Sequence, residues 1–559
     1  MTLGPASANR ALRLLSLPQA WSLRRACEDV QGTQEKVLSR ILRQNRDTEF
    51  GERCSFGRIR SVREFQAKVP LSDAKDYREP VRRIGEGARK VLTRAPVLLL
   101  EPTSGSLEPS KWIPYTADLR KEFSAALGAW LFDLYSQYPA LLDGPAYWAV
   151  TPALQRPRLS PGGIRLGFDE DAQYFGTLKR RLIRSVLAVP PELQAVGDRD
   201  TFLYLTLLFL LRAKELRLIS VWNPTFLTLL LAPLLKLGKE LARDIGEGRL
   251  PAGLPPGLLN PPDPGRAQEL REAFATARDA AALHARLWPR LALISCWTDG
   301  AAAGVLPELR SLFPDVPVQG KGLLATEGVV SIPFMARPGA ALALRSHFYE
   351  FLPLEGEGPR LAHELELGRR YSIVLTTGGG LYRYQLQDVV EVVAFLDRCP
   401  CLRFIGRGGC VSDRFGEKLA EAHAREALAR GLAGSGARAA FAMLAYEERS
   451  YVLFIEAPGL KDRELLYAGG RVETDLQRNF HYGYARQLGQ LGPLRVFRIR
   501  GNGQQTFLQR CALDGQRLGQ IKPVALHPQS GWKDAFDGCF LASEIRTSGG
   551  LHEPVVSDR

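Results

Sequence analysis

The sequence has few of the residues that bind transition metals, with 7 histidines and 8 cysteines in 559 residues. It contains no HExxH pattern and no histidine pair at metal-binding spacing, which argues against a zinc hydrolase. The closest cysteine pair, Cys399 and Cys401, lacks the two-residue gap of redox and zinc motifs. Because a chain of this length needs no disulfide staples, the cysteines are predicted to be reduced thiols.

Motifs for covalent catalysis, for the P-loop and for secretion are also missing. The sequence has no GxSxG elbow, no Cys/His nucleophile signature and no GxxxxGK[ST] pattern. Near the N-terminus, Arg13 interrupts the apolar stretch Leu12–Leu17, and no small-residue cleavage site follows it. The protein is therefore predicted to be cytoplasmic.

The most apolar stretch, Leu218–Leu235, contains eighteen uncharged residues, which is the threshold length for a membrane span. Asn223, Pro224 and Pro233 would interrupt a helix inside lipid. The stretch is therefore predicted to form a buried strand, a turn and a helix, with no membrane association. It could also form one wall of a pocket for an organic acid.

The composition, 45% hydrophobic and 24% charged, is that of a globular protein, and the length predicts two unequal domains. A net charge of +14 suits a nucleic-acid binder, but equally an enzyme whose substrates carry phosphates or carboxylates. The N-terminal arginines are scattered, without a run of like charge or a recognition motif. A basic surface without nucleic-acid binding is therefore favoured.

Helical patterns alternate with short buried strands over most of the chain, which predicts an α/β fold. The apolar run at Val97–Leu100 predicts a strand, and the spacing of apolar residues predicts a helix over Thr116–Tyr138. A proline-rich loop is predicted over 245–266. After the glycine-rich bend near Gly409 the pattern becomes that of an α+β unit. The predicted domains are 1–409 and 410–559.

Three segments have residue types suited to a nucleotide. Thr103, Ser104, Gly105 and Ser106 form a turn whose backbone amides, with Lys111 nearby, could hold phosphates, although any exposed turn before a helix looks similar. Glu327, where a strand-like run is predicted to end, could hold Mg²⁺ or cap the following turn. Asp388, predicted between two strands, could bind ribose hydroxyls or belong to a hairpin turn.

Three basic residues stand out in a chain that has far more arginine than lysine. They are Arg407, Lys418 and, near the C-terminus, Lys522. A solvated surface position is the default interpretation of each lysine.

The order of these segments resembles one family. The motifs are TSGS with KWIPYT, ATEG, LYRYQLQDVV, and FIGR with VSDRFGEKL. Together they look like those of the acyl-acid amido synthetases of the auxin-responsive Gretchen Hagen family, which belong to the adenylate-forming (acyl-activating) enzymes. Supporting stretches are NRDTEFGER, VREFQAKVPLSD, ISVWNPTFL and NFHYGYARQLG.

This resemblance implies a large N-terminal adenylate-forming domain, a smaller mobile α+β C-terminal domain, and an ATP site. It implies that the chain, expected to be a monomer, adenylates a small carboxylic acid and transfers the acyl group to an amine, typically of an amino acid. It also implies the site residues. Those expected to contact ATP are Thr103, Ser104, Gly105, Ser106, Lys111, Thr326, Glu327, Gly328, Tyr382, Asp388 and Arg407. Glu327 would also hold Mg²⁺, and the catalytic residues would be Lys418 and Lys522.

The sequence departs from the family pattern at two places. Leu107-Glu108 follows the first loop where the family usually has glycine, and Gln387 replaces the glycine of a Leu-Gly-Asp motif. A glycine lost from a tight turn matters where φ is positive. These departures favour an alternative in which the chain is a non-catalytic descendant that binds nucleotide or a partner. A further alternative keeps adenylation and transfers the acyl group to a thiol such as coenzyme A.

Overall fold

The fold is that of a computed structural model, which describes most of the chain. The described residues are 3–102, 112–149, 158–167, 177–252, 254–255, 257–354, 358–407, 411–412, 414, 417, 419–433, 439–514, 516 and 521–541. The chain divides into two compact units. The first unit is Met1–Arg407 with Cys511–Pro523, and the second unit is Gly408–Arg510 with Val524–Arg559. The predicted domains, 1–409 and 410–559, did not include such a return segment.

The helices described before residue 407 are α1 (Pro5–Glu28), α2 (Val30–Gln44), α3 (Glu49–Arg53), α4 (Val62–Lys68), α5 (Ala74–Gly85), α6 (Ala117–Gln137), α7 (Thr177–Val186), α8 (Arg199–Arg212), α9 (Pro224–Leu231), α10 (Leu234–Glu247), α11 (Pro264–Thr276), α12 (Ala280–Leu287) and α13 (Leu306–Leu312). Those described after it are α14 (Glu421–Leu432), α15 (Asp462–Leu476), α16 (Phe480–Gln487) and α17 (Gly503–Leu513).

The strands of the first unit are β1 (Val97–Pro102), β2 (Trp112–Thr116), β3 (Ala146–Trp148), β4 (Arg158–Leu159), β5 (Arg165–Leu166), β6 (Leu218–Ser220), β7 (Leu293–Cys296), β8 (Val318–Gly320), β9 (Ser331–Ile332), β10 (Ala340–Leu342), β11 (Phe348–Pro353), β12 (Arg360–Leu361), β13 (Arg370–Thr376), β14 (Tyr384–Leu396) and β15 (Cys399–Arg407). Those of the second unit are β16 (Val411–Ser412), β17 (Leu419–Ala420), β18 (Phe441–Glu447), β19 (Ser450–Glu456), β20 (Arg495–Ile499), β21 (Leu526–His527) and β22 (Gly538–Phe540).

A parallel sheet of order β3-β6-β7-β8 lies between two hydrophobic cores of the first unit. Leu218 and Leu293 belong to one core, whereas the next residues along their strands, Ile219 and Ile294, belong to the other. Successive side chains of a strand point to opposite faces, so both faces of this sheet are covered. The apolar character of these strands follows from that double burial.

The predicted strand, turn and helix in Leu218–Leu235 are confirmed. The stretch forms β6, a turn and α9, and its remaining residues begin α10. The Asn223 side chain accepts a hydrogen bond from the Thr225 N–H at 3.0 Å, and Pro224 occupies the first helical turn. Both are residues that favour a helix start. Among the described residues, no helix is long and apolar enough to cross a membrane.

A mostly antiparallel sheet of order β12-β11-β13-β14-β15-β10-β9 contains the third motif. β14 runs without interruption from Tyr384 to Leu396, so the prediction that Asp388 separates two strands is wrong. The register of β13 and β14 instead shifts between Ser372 and Val374, and Gln387, opposite this shift, has φ of +63°. A β-bulge, which a period-two pattern does not reveal, replaces the predicted break.

Other predictions hold in part. The helix predicted over Thr116–Tyr138 is confirmed as α6, and the proline-rich loop is shorter than 245–266 because α10 and α11 extend into it.

The second unit contains a sheet of order β21-β18-β19-β20-β22. The prediction missed β18 and treated the C-terminal part of α15 together with α16 as one helix. Asn479 caps a new helix there, since its side chain accepts from the His481 N–H. The seven described cysteines are free thiols, as predicted.

Candidate active site

The ATEG motif forms a tight turn in the first unit. The backbone N–H groups of Ala325 and Gly328 donate to each other's carbonyl oxygens, at 3.0 and 3.2 Å. Glu327 lies in this turn with 5% of its surface exposed. A Cβ added to Gly328 would lie 2.8 Å from Nε2 of His347, so this position admits only glycine without movement of a buried ring. The glycine of the motif therefore follows from close packing around the turn.

Two tyrosine hydroxyls hold the ends of the turn. Tyr115 donates to the carbonyl oxygen of Thr326 at 2.6 Å, and Tyr349 donates to that of Val329 at 2.7 Å. Both tyrosines are fully buried. Tyr115 lies in β2, directly after the predicted phosphate loop. A hydrogen bond that no sequence pattern predicted therefore joins the first motif, at KWIPYT, to the second motif, ATEG.

A buried histidine and glutamate support the same turn. His347 Nε2 accepts from the Val329 N–H at 3.1 Å, so its other ring nitrogen carries the proton and donates to Glu122 Oε2 at 3.0 Å. Glu122 comes from α6, and the two residues are 225 positions apart. The pair thus fixes one tautomer of the imidazole and holds the backbone next to Glu327.

Glu122 also binds the segment that leads to the third motif. The Gly378 N–H donates to both of its carboxylate oxygens, at 2.9 and 3.2 Å. The Thr116 hydroxyl, at the start of α6, donates to the Gly378 carbonyl oxygen at 3.0 Å. Hydrogen bonds therefore bring together the segment after the phosphate loop, the ATEG turn and the run before LYRYQLQD.

Tyr382 of the third motif is fully buried in the first unit. Its hydroxyl donates to the Leu92 carbonyl oxygen at 2.7 Å, and its ring stacks on Phe50 with centroids 4.7 Å apart. Burial raises the pKa of this phenol well above its ordinary value. The structure gives the side chain a packing position, and contact with ATP stays a prediction.

Asp388 lies opposite Arg407 where β14 and β15 pair, with 6% of its surface exposed. The register brings the third and fourth motifs together on neighbouring strands. Only the backbone of Arg407 is described. Ribose binding by Asp388 stays a prediction.

Sequence reasoning missed Arg383, which lies inside the third motif. Its guanidinium forms a bidentate ion pair with Glu350, with both N···O distances at 2.9 Å, and both side chains are buried. The same guanidinium donates to the carbonyl oxygens of Gln66 and Val69 at 2.9 and 2.8 Å. The only signal in the sequence was an arginine within a strongly apolar and aromatic run.

Lys522 belongs to the return segment of the first unit. The Asn223 side chain donates to the carbonyl oxygen of Ile521 at 2.7 Å, which holds the backbone next to the lysine. The Lys522 ammonium lies 4.4 Å from the ring centroid of Trp297 and 5.9 Å from that of Phe404 in β15. The predicted catalytic lysine is thus close to the strand that contains the FIGR motif.

The remaining predicted site residues lie outside the described residues. They are Thr103, Ser104, Gly105, Ser106, Lys111 and Lys418, together with the departure at Leu107-Glu108. In the part of the chain that is described, no three histidine, cysteine or carboxylate side chains gather as a metal site. Magnesium in nucleotide sites is commonly held by one or two carboxylates together with substrate phosphates, so a single buried carboxylate at Glu327 fits that ion.

Comparison with known protein families shows which family the chain belongs to. The GH3 family N-terminal domain matches residues 20–318, and the GH3 family central domain matches residues 340–407. The first match alone covers more than half of the 559 residues. The chain belongs to the GH3 family. The resemblance carried by the motifs is thereby confirmed.

This GH3 chain is 24% identical over 581 residues to a protein of Oryza sativa subsp. japonica named probable indole-3-acetic acid-amido synthetase GH3.12, and the match covers 90% of this chain and 92% of that protein. It is also similar to the structure of AtGH3.15 acyl acid amido synthetase in complex with 2,4-DB, at a TM-score of 0.81 and 19% identity, over 92% and 95% of the two chains.

A more distant likeness, with a TM-score of 0.50 and 12% identity, is to 2-hydroxyisobutyryl-CoA ligase in the postadenylation state with 2-HIB-AMP, over 90% of each chain. These likenesses show the fold. The predicted fold class, α/β with a large N-terminal part and a smaller C-terminal α+β part, is confirmed.

Proposed function

We propose that this chain is an ATP-dependent acyl-acid amido synthetase that joins a small carboxylic acid to the amine of an amino acid. Membership of the GH3 family and the name of the rice relative support this reaction class. The observation in this structure that carries it is the set of hydrogen bonds through Tyr115, Glu122 and His347, which joins the KWIPYT motif, the ATEG turn and the segment before LYRYQLQD. The seven described free thiols support the predicted cytoplasmic location.

The chemistry requires activation, because a carboxylate is a poor electrophile. A carboxylate oxygen of the acid attacks the α-phosphorus of ATP, the bond to the β-phosphate oxygen breaks, and pyrophosphate leaves. The amine then attacks the carbonyl carbon of the acyl-AMP, loses a proton, and expels AMP. In this proposal Asp388 orients the ribose, and the Lys522 ammonium stabilises the charge that develops at the α-phosphate.

Glu327 would hold Mg²⁺ in this proposal. The ion, when bound, supplies positive charge that neutralises the phosphate oxygens. The chain's own contribution is to fix the carboxylate. The contacts of Tyr115 and His347 with the ATEG turn leave its backbone little freedom.

The direct test is ATP- and Mg²⁺-dependent release of pyrophosphate across a panel of aromatic, indolic and aliphatic acids. We expect release that depends on a particular acid, and losses of about a hundredfold or more in Asp388→Ala and Lys522→Ala. Lys239→Ala, at an exposed lysine of α10, is the matched control and should keep full activity. Unfolding midpoints would confirm that all three variants are folded.

The products separate the alternatives. With an active acid, mass spectrometry after addition of amino acids or coenzyme A would show an amide or a thioester. A thioester alone would contradict the proposed acceptor. Binding of ATP without pyrophosphate release from any acid would contradict the enzyme, and would favour the non-catalytic alternative suggested by Gln387.

A further inference from the structure

Lys321 is a buried lysine at the carboxyl end of the parallel sheet. It directly follows β8, and 8% of its surface is exposed. Its ammonium donates to the Ser220 hydroxyl at 2.7 Å and lies 5.3 and 5.1 Å from the ring centroids of Trp130 and Trp222. Burial of an ammonium is costly, and such lysines are found where a site uses the charge.

Two serines lie in register on neighbouring strands, and one of them, Ser220, contacts this lysine. Ser220 in β6 pairs in register with Ser295 in β7, which pairs with Gln319 in β8. Residues paired across parallel strands share a face, at a strand spacing of about 4.8 Å. Trp130 of α6 donates from its indole to Gln319 at 3.1 Å, so this is the face that α6 covers.

The Ser295 hydroxyl is fully buried and, among the described residues, has no hydrogen-bond partner. A buried hydroxyl left in this state costs free energy. A ligand oxygen that accepted hydrogen bonds from Ser295 and from the Lys321 ammonium would remove that cost. The donors are thus matched to an anionic oxygen.

Indole rings extend from Lys321 in two directions. The Trp130 and Trp148 centroids are 6.3 Å apart, and those of Trp222 and Trp297 are 5.8 Å apart. Trp297 is also the ring that lies 4.4 Å from the Lys522 ammonium. All of these residues are in the first unit. In open α/β sheets, ligands bind outside the carboxyl ends of the strands, and aromatic rings stack on planar groups.

We infer that Lys321, Ser220 and Ser295 form a carboxylate-binding subsite whose tryptophan walls accept a planar organic group. The identity of the occupant rests on the proposed function: it is the carboxylic acid substrate, and the class is aromatic acids. Trp222 and Trp297 connect Lys321 to Lys522, at successive separations of 5.1, 5.8 and 4.4 Å. Lys522 is the lysine proposed for the α-phosphate, which the acid must reach, so this connection favours the acid over the amine acceptor.

The test is equilibrium binding by calorimetry in the full chain, without ATP or amine, with phenylacetate and its uncharged amide as probes. We expect the wild type to bind phenylacetate at least about tenfold more tightly than phenylacetamide, since only the carboxylate forms a charge-assisted pair. Lys321→Met should abolish this preference and leave the amide affinity unchanged. Lys239→Met, the same change at an exposed lysine, should preserve the preference.

Ser295→Ala keeps the inference testable if Lys321→Met unfolds. This substitution removes a hydroxyl without a described partner, so the fold should be retained and phenylacetate binding should weaken severalfold. The subsite is refuted if phenylacetate fails to bind the wild type, or if folded Lys321→Met and Ser295→Ala both bind it with unchanged affinity.

A further measurement separates the acid from the amine. If Lys321→Met raises the KM of an amino acid acceptor while phenylacetate affinity stays unchanged, the assignment to the acid is overturned. Because the binding experiment needs no turnover, the subsite can be established even where pyrophosphate release fails. If the wild-type chain binds phenylacetate but releases no pyrophosphate with any acid, the result counts against the proposed function and leaves the subsite standing.

Discussion

Replacement of Arg383 by methionine is expected to destabilise the first unit by about 3–5 kcal/mol. The guanidinium donates four hydrogen bonds, two to the Glu350 carboxylate and one to each carbonyl oxygen of Gln66 and Val69. Methionine fills a similar volume but leaves the Glu350 carboxylate buried without its opposite charge. It also leaves two carbonyl oxygens without their donor, which adds to the cost.

The loss of stability on removing an ion pair depends on how deeply the pair is buried. An exposed arginine–glutamate pair in the same unit is therefore a matched control. Arg370 pairs with Glu391 at 3.7 Å, and its side chain is 46% exposed, against 6% for Arg383. Exposed ion pairs contribute about 0–1 kcal/mol, so Arg370→Met should change stability little. Arg383→Met combined with Glu350→Gln should cost less than Arg383→Met alone, because the uncompensated charge is gone.

Equilibrium urea unfolding followed by tryptophan fluorescence suits this comparison. All of the 8 tryptophans except Trp532 lie in the first unit, so the signal reports mainly on that unit. The reasoning is refuted if Arg383→Met lowers stability no more than Arg370→Met, or if Arg383→Met combined with Glu350→Gln is no more stable than Arg383→Met alone.

Three further predictions concern single positions. Burial lowers the pKa of His284 below its ordinary 6.5 against a weaker opposing hydrogen bond, so stability should fall by up to about 1.4 kcal/mol between pH 7.5 and 5.5; His284→Gln should remove that part of the slope in urea unfolding, and an unchanged slope would contradict it. Gln387→Gly should stabilise the chain by at most about 1 kcal/mol in thermal unfolding, because φ is +63° and left-handed backbone favours glycine; a loss of stability would contradict this. His347→Leu should reduce pyrophosphate release about tenfold more than His347→Gln, whose amide oxygen can still accept from the Val329 N–H; equal losses would exclude a positioning role.

Local patterns predicted the elements that depend on neighbouring residues. The helix over Thr116–Tyr138 follows from a threonine cap and helical spacing, and the break in Leu218–Leu235 follows from Asn223 and two prolines. The family resemblance is confirmed, and it is the source of the predicted site residues. Of these, Thr326 and Gly328 lie in one turn with Glu327, and Asp388 lies opposite Arg407.

The supporting contacts could not be predicted, because their partners are far apart in the chain. Glu122 and His347 are separated by 225 positions, and Arg383 and Glu350 by 33. The β-bulge at Gln387 was missed for a different reason, since two extra residues in one strand change neither composition nor apolar content. Lys321 was overlooked because a lysine between glycines reads as a surface turn until the tryptophans around it are known.

The return of Cys511–Pro523 to the first unit has a consequence for folding during synthesis. When the ribosome has completed Arg407, the Asn223 side chain still has no Ile521 carbonyl oxygen to bind, and Trp297 has no lysine against its ring. The 103 residues of 408–510 must be made first, which takes about 5–20 s at 5–20 residues per second. During that interval the nascent first unit lacks Cys511–Pro523, because this segment is synthesised after most of the second unit. We therefore expect chaperones to bind the first unit at this stage of synthesis.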